Sequence, residues 1–381
     1  MKFFQIQAKL LAALMVQEDR QSNAPQGLPY LPGSTLRGAV AARYLRMGGT
    51  PEDAAFTELF LENPVCFPDL FPADIGDQLS IPLPMTACSC KRYPGFLREN
   101  GHGVADSLAA HFAAQLEERP LLEAFVCRTC KQDMRPIHGF WNGATRRPQR
   151  FDPVIVYQRH TGIDRHTGTV APSIFYITQG ISDTRKGEDL VDQTQYLTGG
   201  VYLSQNQFEI LCSCFSETIF AGADRTRGMG EMELTLKECA PPNRDLEAWD
   251  GAFRKKVAEL TSKPLPSGLY FSIGLLGHAI LVDRFLRPSP EIILNHHGIT
   301  SAGRIIRQHL VRGWQSTRQL PKTEDTAIAM GSVYLFQYRG EDISGLAAFL
   351  KQLEVEGIGL RRTEGFGRIA VCGPIHVREV I

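Results

Sequence analysis

A nine-residue pattern, Gly-x-x-Arg-Thr-x-Gly-x-Gly, occurs twice in this chain of 381 residues. It reads Gly222, Arg225, Thr226, Gly228, Gly230 in its first copy and Gly359, Arg362, Thr363, Gly365, Gly367 in its second. Glycine tolerates positive φ and lets a backbone come close to a ligand. Successive N–H groups beside a guanidinium then form a concavity for an anion. Phosphate is the guest such a loop suits. A structural turn is the competing reading, because tight turns need glycine too, but a repeat agreeing at five positions points to a duplicated unit. The first copy adds Arg227, and the second adds Arg361 and Arg368.

The nine cysteines carry a second kind of chemistry. Cys88-x-Cys90 and Cys127-x-x-Cys130 are two short chelating pairs, and four thiolates at tetrahedral reach suit a structural zinc. His102 and His138 stand as alternative ligands, and unligated buried cysteines are the competing reading. Cys212 and Cys214 fall two apart on a predicted helix and face different sides, so they are left out. Cys66, Cys239 and Cys372 are assigned to core. An odd count without a secretion signal favours a reduced, cytoplasmic setting over a disulfide framework.

The elements that must position these residues also repeat. Gly199-Gly200-Val201-Tyr202-Leu203 and Gly331-Ser332-Val333-Tyr334-Leu335 each read as a strand upstream of a loop. A helix follows each, with Phe208, Leu211, Phe215 and Ile219 on one apolar stripe and Ile343, Leu346, Phe349, Leu350 and Leu353 on the other. Gly357 sits where a C-capping glycine belongs. A strand follows each loop, at 232–236 and 369–372, and each half opens on one, at 3–8 and 269–273. The order predicts an α+β fold of two ferredoxin-like, RRM-like βαββαβ domains. The first spans 1–245, with a zinc-binding insertion at about 62–150 that holds a helix over 105–118, and the second spans 265–381. Lys263-Pro264-Leu265-Pro266-Ser267-Gly268 breaks the helix between them.

Charge constrains the partner. With 41 basic and 41 acidic side chains the net charge is zero, which excludes a nonspecific nucleic-acid coat and requires any polyanion to be gripped locally. From Ile292 to Thr323 there is no acidic residue, while Arg304, Arg307, Arg312, Arg318 and Lys322 surround Trp314. A basic stretch with an aromatic suits single-stranded RNA, whose bases stack while phosphates pair with arginine; a solvated helix face is the alternative. No run of eighteen apolar residues is present, so no membrane span is expected. Met1–Val16 is interrupted by Gln5, Gln7 and Lys9 at strand spacing and reads as a first strand rather than a signal peptide.

Three motifs in order resemble the RAMP superfamily of CRISPR effector subunits. They are Pro32-Gly33-Ser34-Thr35-Leu36-Arg37-Gly38-Ala39 opening a helix, Thr161-Gly162-Ile163-Asp164-Arg165-His166-Thr167-Gly168-Thr169 before Ile174-Phe175-Tyr176, and the terminal glycine-arginine loop. Within it the chain is most similar to the type III-D subunit called Csx-ten, through Cys88-x-Cys90-Lys91 to Gly95-Phe96 and through Trp314, Leu320-Pro321-Lys322 and Gly331-Ser332-Val333. The resemblance implies a CRISPR-RNA-binding subunit that caps the 5′-tag end of the guide. It would abut the large polymerase-cyclase-like subunit and the RAMP backbone subunits, and meet target RNA only indirectly. Ser34 and Thr35 at a helix N-terminus, with Arg37 one turn in, suit a phosphate on general grounds as well; an N-cap is the competing reading of Ser34. Arg159, Arg165 and His166 join the candidate RNA contacts on a glycine-punctuated loop or hairpin.

No His-Lys or His-Tyr constellation for metal-independent RNA cleavage is recognisable, so a noncatalytic binding subunit is expected. An endoribonuclease processing precursor CRISPR RNA is the alternative.

Overall fold

The computed structural model describes residues 1–17, 27–62, 64–73, 78–97, 100–120, 125–143, 148–186, 192–242, 244–315, 318 and 320–380. They form two compact units, each gathered from three stretches of chain: 1–80, 152–240 and 310–325 in the first, 81–151, 241–309 and 326–381 in the second. Both are mixed α/β with antiparallel sheets.

The first unit is built on a five-stranded sheet, in the order Ile219–Phe220, Glu231–Glu238, Lys2–Leu10, Tyr196–Leu203, Phe71–Ala73. In the central strand, Phe4, Ile6, Ala8 and Leu10 alternate inward and are buried. They lie in one core with Leu36 and Val40 of the helix Gly33–Arg46 and Leu211 of the helix Gln205–Cys214. Phe4 stacks on Phe208 at 4.7 Å. A capping box starts the second of these helices. Ser204 Oγ accepts from the Gln207 N–H at 3.1 Å and Gln207 Oε1 accepts from the Ser204 N–H at 3.0 Å, a pairing that contributes about 1 kcal/mol.

The second unit holds a four-stranded sheet, in the order Ile299–Ile305, Val333–Tyr338, Leu269–Leu275, Ile369–Val371. In both sheets the opening strand of the half lies between the strand before the helix and the strand after the glycine loop. The helix Ile343–Glu356 is capped by Asp342, whose Oδ1 accepts from the Gly345 N–H at 2.8 Å, and ends at Gly357 with φ 73°.

The second half departs from the expected order in one respect. Residues 276–298 form no helix between its first two strands; Pro288 and Pro290 in that stretch lack an amide hydrogen and disfavour helix in the residues before them. Instead the helix Leu246–Ala258 packs through Trp249 and Phe253 in the sheet's core, with Phe253 6.0 Å from the Tyr270 ring.

The insertion expected at 62–150 within the first domain interrupts the first half in chain order, while its residues 81–151 pack within the second unit. Its helix, Leu108–Glu117, sets Phe112 5.9 Å from Phe253 and 5.3 Å from Tyr270. Among the described residues the remainder has a small core, Leu83, Ala87, Phe96, Val104, Ile137 and Trp141 with Ile375. Among the described residues no helix is long and apolar enough to cross a membrane.

Candidate functional site

The two glycine loops share one backbone. Gly222, Asp224, Gly228 and Gly230 have positive φ, and so do Gly359, Arg361, Gly365 and Gly367 at the equivalent points. The Ala221 N–H bonds to the Gly230 carbonyl at 2.9 Å, and the Ile358 N–H to the Gly367 carbonyl at 2.9 Å. A Cβ on Gly230 would meet the Ala221 carbonyl oxygen at 1.9 Å, and one on Gly367 the Ile358 oxygen at 1.7 Å. These glycines are therefore demanded by the turn itself. Gly228 differs: it is exposed, and a Cβ there would meet nothing within 4 Å.

The loops differ in what they present. In the first, Arg225, Thr226, Arg227 and Gly228 are all exposed. In the second, Arg361 is engaged internally and Arg368 is buried, while Arg362 stays exposed. Arg361 pairs with Glu364 at 2.9 Å and lies over the Phe366 ring at 4.7 Å, and Arg362 sits 3.9 Å from Glu356. Arg368 is 8% exposed.

The strands Ile155–Ile163 and Val170–Ile181 form a long antiparallel hairpin. Asp164 Oδ1 closes its turn by accepting from the N–H groups of His166 at 2.7 Å and Thr167 at 3.1 Å. Side chains alternate across such a ladder. One face carries Gln158 and His160 opposite Thr178 and Tyr176. It meets the first glycine loop: Arg227 Nη1 donates to Tyr176 Oη at 2.9 Å, and Gln158 Nε2 lies 3.6 Å from Met229 Sδ. His160 stacks on Tyr176 at 4.7 Å. The other face is outward, with Tyr157 64%, Phe175 59% and Ile177 41% exposed around Arg159. Arg165 and His166 are exposed at the turn. Sequence reasoning names Phe175 only as part of a motif and misses Tyr157 and Ile177; alternation along 155–163 and 175–181 is the signal that finds them.

The remaining candidates separate. Ser34 and Thr35 are half-buried in the first turn of the helix Gly33–Arg46, whose N-cap is Pro32, so Ser34 does not cap it. A carboxylate of the chain already serves that helix end, since the Gly33 N–H donates to buried Asp69 Oδ1 at 2.8 Å. Arg37 turns back onto Phe60, its guanidinium 5.5 Å from the ring and 3.2 Å from the Phe60 carbonyl. Trp314 lies in a short hairpin opposite Pro321. Arg304 pairs with Glu291 at 3.0 Å, while Arg307 is exposed. The basic stretch around them forms short strands rather than a helix face.

Next to the second loop, His278 accepts from the Met330 N–H at 3.2 Å through Nδ1, and its carbonyl takes the Gly367 N–H at 2.8 Å. Its ring stacks on His309 at 4.0 Å. Burial, then the neighbouring His309 and Arg307, push its pKa down to about 3.

Four potential metal ligands converge in the insertion: Cys90, His102, Cys127 and Cys130, with their ligand atoms all within 4.8 Å of one another. Cys90 Sγ is 3.4 Å from Cys130 Sγ, and Cys127 Sγ is 3.6 Å from His102 Nδ1. The donor set fits: sulfur bonds of about 2.3 Å in a tetrahedron place sulfurs a little under 4 Å apart. Burial raises the Cys127 thiol, but the backbone N–H groups of Cys130 and Thr129, followed by His102 and Cys130, outweigh it and bring it to about 6. Cys88 does not belong to this group, and His102 takes the place expected of it. The Cys88 thiol has the Ser107 side chain as its hydrogen-bond partner, with Asp106 nearby. Buried Cys88 instead has its thiol raised to about 11, chiefly by desolvation.

Beyond the cluster the insertion is pinned by a buried pair. Asp106 accepts from Thr86 Oγ1 and, at 2.9 Å, from the Leu108 N–H, and lies 3.0 Å from His376 Nδ1.

No protein-family model and no curated protein matches the sequence. Among solved structures the chain is similar to a chain of a type III-B Cmr-beta complex bound to cognate target RNA and AMPPnP, at 14% identity over 91% of this chain and 88% of that one, with a TM-score of 0.43. It is also similar to a chain of the Csm3-Csm4 subcomplex of a type III-A CRISPR-Cas interference complex, at 12% identity over 90% and 95%, TM-score 0.35. A third similar structure is oligomeric Cmr4 from Pyrococcus furiosus, at 12% identity over 63% and 100%, TM-score 0.25.

Proposed function

We propose that this chain is an RNA-binding, noncatalytic subunit of a type III CRISPR interference complex, most similar to the III-D subunit called Csx-ten. In this reading it holds the 5′-tag end of the guide RNA, bridges the large polymerase-cyclase-like subunit and the RAMP backbone subunits, and acts in the cytoplasm. The observation that carries the RNA reading is the hairpin's outward face, where exposed Tyr157, Phe175 and Ile177 surround Arg159, while the opposite face is anchored to the first glycine loop through the Arg227–Tyr176 contact. Exposed rings stack bases regardless of sequence, while neighbouring guanidinium groups take the phosphates. The three RAMP-like motifs support the superfamily, and the segments Cys88-x-Cys90-Lys91 to Gly95-Phe96 and Trp314 to Gly331-Ser332-Val333 support the narrower assignment. The Cys90, His102, Cys127, Cys130 group would hold a zinc ion whose role is structural, since four protein ligands leave no position for substrate.

Binding of tagged guide RNA to the purified protein tests this. Arg225→Ala with Arg227→Ala is expected to weaken binding and to lower the salt slope by roughly 1.4, two phosphates at about 0.7 each on a single strand. Phe175→Ala is expected to weaken binding at an unchanged slope. Folded variants that bind like the wild type would refute the surface. Reproducible metal-independent cleavage of repeat RNA, abolished by a single histidine substitution, would refute the noncatalytic part.

A further inference from the structure

The metal-ligand cluster is closed by two short loops whose exposed residues have a common chemistry. Lys91, Arg92 and Tyr93 follow the ligand Cys90, while Arg128 and Lys131 flank the Cys127–Cys130 turn; all five are exposed. Within 88–97 and 126–136 the only acidic residue is Asp133. The Lys91 N–H donates to the Asp133 carbonyl at 3.0 Å and ties the loops together. Unlike Arg304, Arg312 and Arg361, which pair with carboxylates of this chain, Lys91, Arg92, Arg128 and Lys131 have no ion-pair partner among the described residues. The cavity behind Arg128 and Lys131 is lined by Lys256 and Arg378 together with Asp106, Glu259 and Glu379.

The aromatic residue is fixed by the cluster itself. Tyr93, 44% exposed, lays its ring 4.5 Å from that of the ligand His102, and its carbonyl accepts from the His102 N–H at 3.0 Å. The Arg92 guanidinium lies 5.4 Å from the Tyr93 ring centroid. A rigid ring among unpaired cations is what a single strand needs, since the base stacks and the flanking phosphates are neutralised.

We propose that this knuckle pair is a second single-stranded RNA contact, with Tyr93 stacking a base and Lys91, Arg92, Arg128 and Lys131 holding phosphates. It deepens the RNA-binding reading above and rests on it. The test uses full-length, metal-loaded protein and labelled oligouridine RNA over a range of salt. Tyr93→Ala is expected to weaken binding about tenfold at an unchanged salt slope. Arg128→Ala with Lys131→Ala should lower the slope by roughly 1.4. Unchanged metal content in each variant establishes that the knuckles are still folded. If these variants bind like the wild type while the first-loop arginine variant is weakened, this proposal alone is overturned. Wild-type protein without RNA affinity would overturn the functional reading and this one with it. Retained RNA binding with loss of a co-assembling protein subunit would make the knuckles a protein contact and overturn the proposal.

Discussion

Asp224 and Arg361 hold the same left-handed backbone, φ 54° and ψ 27° against φ 55° and ψ 32°, at equivalent points of the two glycine loops. Each pairs with the residue three positions on, Asp224 with Arg227 at 3.5 Å and Arg361 with Glu364 at 2.9 Å, so the same ion pair recurs with its charges exchanged. A search for matching residues misses such a repeat, because what is kept is the pair and not the amino acids. Glu364→Arg should destabilise the protein by about 1 kcal/mol by setting two guanidinium groups together, and adding Arg361→Asp should restore most of that loss. Urea denaturation of the two single variants and the double variant measures the coupling.

The glycines of the loops should divide by what surrounds them. Gly230→Ala and Gly367→Ala drive a Cβ into a backbone carbonyl, and each is expected to cost about 3 kcal/mol or to prevent folding. Gly228→Ala, with φ 81° but open space, should cost only about 1 kcal/mol. Equal losses at all three positions would contradict the geometry.

For the metal, elemental analysis is expected to find about one zinc per chain. Cys127→Ser and His102→Ala should lose it, whereas Cys88→Ser should keep it. Metal loss in the Cys88 variant would return that residue to the ligand set.

His278 sets a sign for the acid limb of stability. Its pKa is about 3 in the folded protein against about 6.5 unfolded, so between these values the unfolded chain binds the extra proton. Stability is therefore complete above about pH 6.5 and falls as pH drops toward 3, by at most about 1.4 kcal/mol per pH unit. His278→Gln, which can still accept from the Met330 N–H, should flatten this limb in denaturation curves taken across that range.

The buried pair Asp106–His376 should be intolerant of losing one member. Asp106→Ala leaves His376, Thr86 and the Leu108 N–H without their acceptor and is expected to cost about 3–5 kcal/mol. The carboxyl is desolvated, yet His376, Thr86 and Leu108 hold its pKa below the ordinary value. Its contribution is thus present above about pH 4 and is lost as pH falls through that lowered value.

Much of the local structure was legible in the sequence, because its causes are local. Positive-φ glycines, the C-capping Gly357, and the stripes Leu211 and Leu346, Leu350 all act within a few residues. What escaped depends on distance or direction. Cys88 is engaged by Ser107, which spacing in sequence does not register, and stands outside the metal group. Glu364 occupies Arg361 of the second loop, which a count of positive charges does not register. The hairpin's exposed aromatic face follows from which side of the ladder meets Arg227. The packing of Phe112 against Phe253 joins residues too far apart for periodicity to connect.

That last packing bears on how the chain comes off the ribosome. The helix Leu108–Glu117 is made well before Phe253 and Tyr270, which complete its surroundings, so its apolar stripe must wait through the synthesis of more than a hundred residues. Neither core is encoded by one uninterrupted stretch, and no single cut between residues yields two fragments that each contain a whole one. A fragment beginning at the proline-rich break near 264 would carry the second glycine loop but leave Tyr270 without the helices that bury it. For this protein, dissection by truncation is a perturbation of the fold rather than a separation of parts.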